Sequence, residues 1–197
     1  WVQADSGQSI AVHNPATGEL IGSVPKSGQA ETRRAIEAAA TAYEAFRKTT
    51  AEHRARLLRT LHEAILDNHD ALAELLTTEQ GKPLSEAKSE VASGAAYILW
   101  FAEEARRTYG DVVPSPWKDR RILVVKEPVG VVAAITPWNF PFSMLARKIG
   151  PAIAVGCTAV VKPASQTPFS GLAWGVLARE AGIPDGVMNI VTGSASE

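Results

Sequence analysis

Apolar positions change their period several times along the chain, and each change predicts an element. Residues 10–24 (IAVHNPATGELIGSV) predict two short strands around a turn made by Asn14-Pro15 and Thr17-Gly18. From Ala30 the spacing becomes helical, with Ala35, Ile36, Ala39, Ala40, Tyr43 and Phe46 on one face. Thr49 and Glu52 then have the spacing of a capping box. Leu57, Leu58, Leu61, Ile65, Leu66, Leu72, Leu75 and Leu76 follow as one apolar stripe, which predicts a single helix stopped by Gly81 and Pro83. A third helix is expected from Ser85 to Tyr109, with Val91, Ala95, Ile98, Leu99 and Ala102 facing inward and Gly110 as its cap.

After Pro114-Ser115-Pro116 the pattern predicts a strand over 121–126 (RILVVK). Residues 129–135 (VGVVAAI) run without alternation, as a strand buried on both faces does. A helix over 141–156, a buried strand over 158–161 (TAVV), a helix over 169–181 and a strand over 187–191 (VMNIV) complete the series. Strands alternating with helices define an α/β chain with a parallel, doubly wound sheet and right-handed crossovers. Such a nucleotide domain uses two halves, and the pattern contains one. The chain is therefore expected to be part of something longer. It contains no repeat and no low-complexity segment.

Composition narrows the class little. Of 197 residues, 46% are hydrophobic and 21% charged, which is ordinary for a soluble globular chain. The net charge of -1 argues against a nucleic-acid or membrane-surface partner. The longest apolar run, 129–135, is too short to span a bilayer. No signal peptide is visible, and a start at Trp1 leaves a processed terminus open. A single cysteine, Cys157, forbids an internal disulfide, so the cytoplasm is the expected compartment.

Ligands of open parallel sheets bind beyond the carboxyl ends of the strands. That rule selects Thr136-Pro137-Trp138-Asn139-Phe140-Pro141 and Lys162-Pro163-Ala164-Ser165. A carboxamide at Asn139 has the chemistry to donate to a developing oxyanion, and equally to cap the following helix. Trp138 suits either core or ligand platform. Lys162 suits either a point-charge contact to a ribose or phosphate, or a solvated strand end. There is no GxGxxG, P-loop, HxxxH or CxxC, and no metal-ligating pattern. His53, His62 and His69 fall on charged helix faces and are expected to be solvated. Cys157, in GCTAVVKP, is expected to be a small apolar core residue.

TPWNFP at 136–141, KPASQTP at 162–168 and AGIPDGVMNIVTG at 181–193 occur in that order, within a stretch running from NPATGE at 14–19 to TGSASE at 192–197. Together they resemble the N-terminal portion of the aldehyde dehydrogenase superfamily, closest to its NADP-dependent succinate-semialdehyde dehydrogenase subgroup. The resemblance implies a partial Rossmann-type sheet with N-terminal helices and a β-hairpin arm. Residues 1–116 would be strands and helices of the cofactor-binding domain, 117–128 a strand of the oligomerisation arm, and 129–197 the first half of the NAD(P) sheet, with the catalytic domain absent. It further implies that Asn139 holds the oxyanion of a thiohemiacetal that collapses to a thioester. Ile135, Thr136, Pro137 and Trp138 would lie along the nicotinamide half, and Lys162, Pro163, Ala164 and Ser165 along the adenosine half. Phe140 and Met144 would line the aldehyde tunnel, and Lys148 would stand near a proton relay. The nucleophilic cysteine and the base glutamate have no counterpart in the chain. A homodimer or homotetramer is implied for the complete protein.

Two departures sharpen the resemblance. Ser165 replaces the glutamate that many NAD-preferring relatives carry, which leaves Lys162 to pair with a 2′-phosphate and favours NADP, with NAD still possible. Arg147 follows Asn139 by eight residues, about two helical turns, and is expected on the same side. A guanidinium there suits an aldehyde with a distal carboxylate, such as succinate semialdehyde. The competing reading is a non-catalytic truncated fragment that binds a nucleotide or self-associates. Apolar faces left uncovered would then make the chain prone to association.

Overall fold

A computed structural model describes residues 1–194; the end of the TGSASE segment, 195–197, lies outside them. Strand β1 (Ser9–His13) pairs antiparallel with β2 (Leu20–Pro25), as the alternation predicts. Asn14 Oδ1 accepts from the Ala16 N–H at 2.9 Å, and Gly18, at φ +76°, lets the turn close. Four helices follow: α1 (Gln29–Phe46), α2 (Ala51–Asp67), α3 (His69–Gln80) and α4 (Leu84–Glu104). Strands β3 (Asp111–Val113) and β4 (Ile122–Val124) form an antiparallel ribbon. Then β5 (Val131–Ile135), α5 (Ser143–Val155), β6 (Thr158–Lys162), α6 (Pro168–Glu180) and β7 (Met188–Ile190) build a parallel sheet of order β5-β6-β7. The class is α/β, as expected.

Several boundaries move, each for a local reason. The single helix expected across 50–80 is two, because Asn68, at φ −103° and ψ 12°, departs from helical dihedrals and its side chain donates to the Ala64 carbonyl at 2.9 Å. The cap of α2 is Thr50 rather than Thr49: the Thr50 hydroxyl accepts from the His53 N–H, while Thr49 bonds back to the Phe46 carbonyl. Helix α4 ends at Glu104 and passes through a short 3₁₀ turn, Ala105–Arg107. Gly110 is therefore no helix cap. It lies against β4, where a Cβ would stand 1.9 Å from the Val124 carbonyl oxygen. The ribbon thus begins within the segment read as 1–116, at a strand the sequence pattern did not reveal.

The helix faces also differ in detail. Ile36, Ala40 and Leu66 are exposed, so the apolar stripes of α1 and α2 are narrower than their spacing suggests. His62 and His69 are half-buried rather than solvated, with ring nitrogens on the Ala95 and Lys88 carbonyls at 2.9 and 3.0 Å. Strand β6 is buried on both faces as expected. β5 is not: among the described residues it has one neighbouring strand, and Ile135 is 70% exposed.

The core is continuous from helices to sheet. Helix α4 packs on α2, α3 and α5, and α1 packs on β6 and β7. Phe142 and Trp174, both fully buried, stack with ring centroids 4.7 Å apart and tie the start of α5 to α6. Glu31 closes the start of α1. Its carboxylate accepts from the Asp5 and Gly28 N–H groups at 2.7 and 2.8 Å, and those bonds hold its pKa down to about 2. Among the described residues, no helix is long and apolar enough to cross a membrane.

Candidate active-site cleft

Ile135 and Lys162 face each other at the carboxyl ends of β5 and β6, and the Thr136 N–H donates to the Lys162 carbonyl at 3.2 Å. The two loops singled out from the sequence therefore leave the same edge of the sheet. Each loop leads into a helix whose first amides need acceptors. Neither helix caps itself. Instead two buried glutamates reach in from the N-terminal helices. Glu90, on α4, accepts from the Phe142 and Ser143 N–H groups at 2.9 and 3.0 Å. Glu79, on α3, accepts from the Phe169 N–H and from the Ser170 N–H and hydroxyl. A carboxylate at a helix N-terminus also meets the positive end of the helix dipole. Burial nevertheless raises the Glu79 pKa above its usual range, against the lowering effect of the Ser170 and Phe169 bonds.

Asn139 sits in the first loop with its side chain exposed. It does not cap α5, since Glu90 has taken that place. Helix α5 begins at Ser143, so the helical spacing argued between Asn139 and Arg147 does not apply. The Asn139 carbonyl accepts from Lys82 Nζ at 3.1 Å. The same ammonium pairs with Glu90 and lies 4.4 Å from the centre of the Phe140 ring. Neither Lys82 nor Glu90 is exposed: their side chains retain 7% and 1% of their accessible surface.

Phe140, Met144 and Arg147 do come together. They line a cavity of about 490 Å³ whose other wall carries Ser85, Ser89 and Ser93 of α4, with Glu86 at its side. The Arg147 guanidinium lies over the Tyr97 ring, 4.6 Å from its centre. It has no carboxylate partner among the described residues. Lys148, next to it, is exposed and lines no part of that cavity.

A second cavity, of about 640 Å³, brings Trp138 and Ser165 together between the first hairpin and the end of α3. Trp138 is 53% exposed and is not a core residue. Lys162 is half-buried, donates to the Gly193 carbonyl at 3.0 Å, and has its pKa lowered by burial. Pro163 is buried against α6: a Cβ on Gly171 would stand 2.5 Å from its own Cβ. Ala164 and Ser165 are half-buried, with the Ser165 hydroxyl toward Gln166.

These features suit a phosphate-bearing dinucleotide. Thr136 and Thr167, one per loop, each bury a hydroxyl that has no hydrogen-bond partner among the described residues. The donor set beside them is a lysine and a serine, and among the described residues no carboxylate pairs with the lysine. Among the described residues no cluster of His, Cys, Asp and Glu could hold a metal. Cys157 is 2% exposed at the start of β6, a packing position.

Lys82, Glu79, Glu90, Tyr97 and the serine row of α4 escaped the sequence reading. Their signals were present but weak. Glu90 falls on the face of Ala87, Val91 and Gly94, and the serines recur every four residues.

The aldehyde dehydrogenase family model matches residues 1–197. Glutarate-semialdehyde dehydrogenase of Pseudomonas aeruginosa is 61% identical over all 197 residues, which cover 41% of its length. The NADP(+) succinate-semialdehyde dehydrogenase of Escherichia coli is 56% identical over 195 residues, 99% of this chain and 40% of that one. The crystal structure of succinate-semialdehyde dehydrogenase from Burkholderia pseudomallei superposes with a TM-score of 0.98 at 56% identity, covering 100% of this chain and 41% of the other. The chain thus spans about two-fifths of the relatives it matches. With a family match over its whole length and a parallel sheet that opens both loops on one edge, this chain belongs to the aldehyde dehydrogenase family.

Proposed function

We propose that the protein containing this chain oxidises a short aldehyde with a distal carboxylate to the corresponding acid, using NADP. Succinate semialdehyde is the first substrate to test, and glutarate semialdehyde, one methylene longer, is the second. One methylene in an apolar pocket is worth only ~1–3 kcal/mol, so activity on both is expected.

The observation that carries this reading is Arg147. A guanidinium that has no carboxylate partner among the described residues, held over the Tyr97 ring, is a ready donor to an anionic end group. It shares a cavity with Phe140 and Met144, which suit the aliphatic stem. Glu86 in the same cavity sets a limit on how many negative charges the site accommodates.

Asn139, exposed and free of capping duty, donates its carboxamide to the oxygen that becomes negative as the carbonyl is attacked. Removing such a donor costs about 2.7–4 kcal/mol of transition-state stabilisation in a measured case. NADP, when bound, accepts the hydride. Ile135, Thr136, Pro137 and Trp138 would flank its nicotinamide half, and Lys162, Pro163, Ala164 and Ser165 its adenosine half. Lys162 would pair with the 2′-phosphate, and a serine at 165 puts no charge against it. Lys148 is a weaker candidate for proton relay, since it lies outside the cavity of Arg147.

The covalent step needs a thiolate, and Cys157 is the one cysteine of these 197 residues. Its burial at a packing position disqualifies it. Residues 1–197 alone are therefore expected to show no turnover. The test is NADPH formation by the full-length protein with succinate semialdehyde, glutarate semialdehyde and the matching unsubstituted alkanals. Equal kcat/KM for charged and uncharged aldehydes would remove the proposal, as would NADPH formation by residues 1–197.

A further inference from the structure

We infer that Lys82 is a positioning residue for the Asn139 carboxamide, acting through the main chain of the loop and anchored by Glu90. The inference rests on the oxyanion role proposed for Asn139 and adds the group that sets its direction.

The side chain and the carbonyl of a residue share one Cα, so fixing the carbonyl restricts where the side chain can point. Lys82 Nζ donates to the Asn139 carbonyl at 3.1 Å. Among the described residues it is the one side chain bonded to that peptide. The Asn139 carboxamide itself is exposed and has no bond to α5 that would orient it. Without Lys82 no side chain among the described residues anchors the Asn139 carbonyl, and the loop is free to shift at that residue, carrying the carboxamide with it.

Lys82 is itself immobilised. Its ammonium pairs with Glu90, and both side chains are withdrawn from solvent. Glu90 in turn holds the Phe142 and Ser143 amides, so one buried ion pair grips the loop at residue 139 and again at residues 142 and 143. The Phe140 ring stacked 4.4 Å from Nζ closes the space between those grips. Gly81, at φ +89° and immediately before Lys82, ends α3 and turns the chain toward the loop.

Misplacing a catalytic group by about 1 Å can cost on the order of a hundredfold in rate. The test is a double-mutant cycle in the full-length protein, with Lys82→Met and Asn139→Ala, read as kcat and as KM for NADP. Since Lys82→Met leaves a buried carboxylate unpaired and can prevent folding, Lys82→Met/Glu90→Gln serves as the second variant: it keeps an amide oxygen for Phe142 and Ser143 and leaves no lone charge. The expected result is a fall in kcat of about ten- to a hundredfold with KM for NADP unchanged, and no further fall when Asn139 is already alanine. If the lysine substitution lowers kcat by the same factor in both backgrounds, Lys82 is merely structural and the inference is overturned. If Asn139→Ala alone leaves kcat intact, the oxyanion reading itself fails and takes this inference with it. The first failure leaves a large Asn139 effect and the second leaves none, so the two are distinguishable.

Discussion

Ile135 and Lys162 stand opposite each other at the ends of two parallel strands, and the residue after the first donates its N–H to the carbonyl of the second at 3.2 Å. This pairing brings the two loops proposed to hold the cofactor and substrate to one edge. Everything proposed for the site depends on that registration, since a slip of one residue would turn the strand faces over.

Ser165→Glu tests the cofactor reading. A carboxylate in that cavity repels a 2′-phosphate and offers an acceptor to a 2′-hydroxyl. In the full-length protein, kcat/KM with NADP should fall at least tenfold, equivalent to ~1.4 kcal/mol, while that with NAD falls less or rises. An unchanged NADP to NAD ratio contradicts the role given to Ser165.

The pH dependence of that ratio follows from Lys162. Burial lowers its pKa, so its positive charge is complete at low pH and disappears earlier than an ordinary lysine's as pH rises. The second ionisation of a phosphate lies near about 6, so above neutrality the phosphate stays fully charged and the lysine alone titrates. NADP should therefore lose affinity relative to NAD as pH rises toward and through the depressed pKa. Fluorescence titration of both cofactors between neutral and alkaline pH measures this. A ratio that climbs with pH is incompatible with the pairing.

Gly171→Ala tests how the second loop is held. The added Cβ would meet the Pro163 ring at 2.5 and 2.7 Å, and neither partner is a flexible chain end. Overpacking of this kind typically costs ~1–3 kcal/mol. A lower unfolding midpoint and a weaker NADP Kd are expected together. A normal midpoint with normal affinity would show that the loop has slack.

Much of this was legible from pattern alone, and the failures have a common cause. Strand β6, helix α6 and both loops follow from local sequence, because periodicity and the carboxyl-end rule act over short distances. The caps of α5 and α6 do not. Their acceptors, Glu90 and Glu79, are 52 and 90 or more residues away in sequence from the amides they satisfy. No local rule finds such a partner. The break at Asn68 failed differently. A residue that competes for backbone hydrogen bonds split a stripe whose leucines gave no sign of it. Tyr97 was unreadable for a third reason, since its role exists only once α4 and α5 are packed together.

Glu31 predicts part of the acid behaviour. Its folded pKa of about 2 lies below the ~4.3 of an unfolded glutamate. A depressed carboxyl stabilises the fold fully above the unfolded value, and that contribution is lost as pH falls from ~4.3 toward ~2. Glu31→Gln should flatten this part of the curve of unfolding midpoint against pH in the full-length protein. An unchanged slope there would mean that the capping bonds do not persist in solution.

The most direct test of the central claim compares succinate semialdehyde with butanal, its chain-matched uncharged counterpart, in the full-length wild type and in Arg147→Ala. Loss of a hydrogen bond to a charged group is worth ~1.5–3 kcal/mol, about ten- to a hundred-and-fiftyfold. The wild type should prefer the semialdehyde in kcat/KM. The variant should lose about that factor on the semialdehyde and little on butanal. An equal loss on both aldehydes, or no loss on the semialdehyde, would contradict the account of Arg147 and of the substrate class with it.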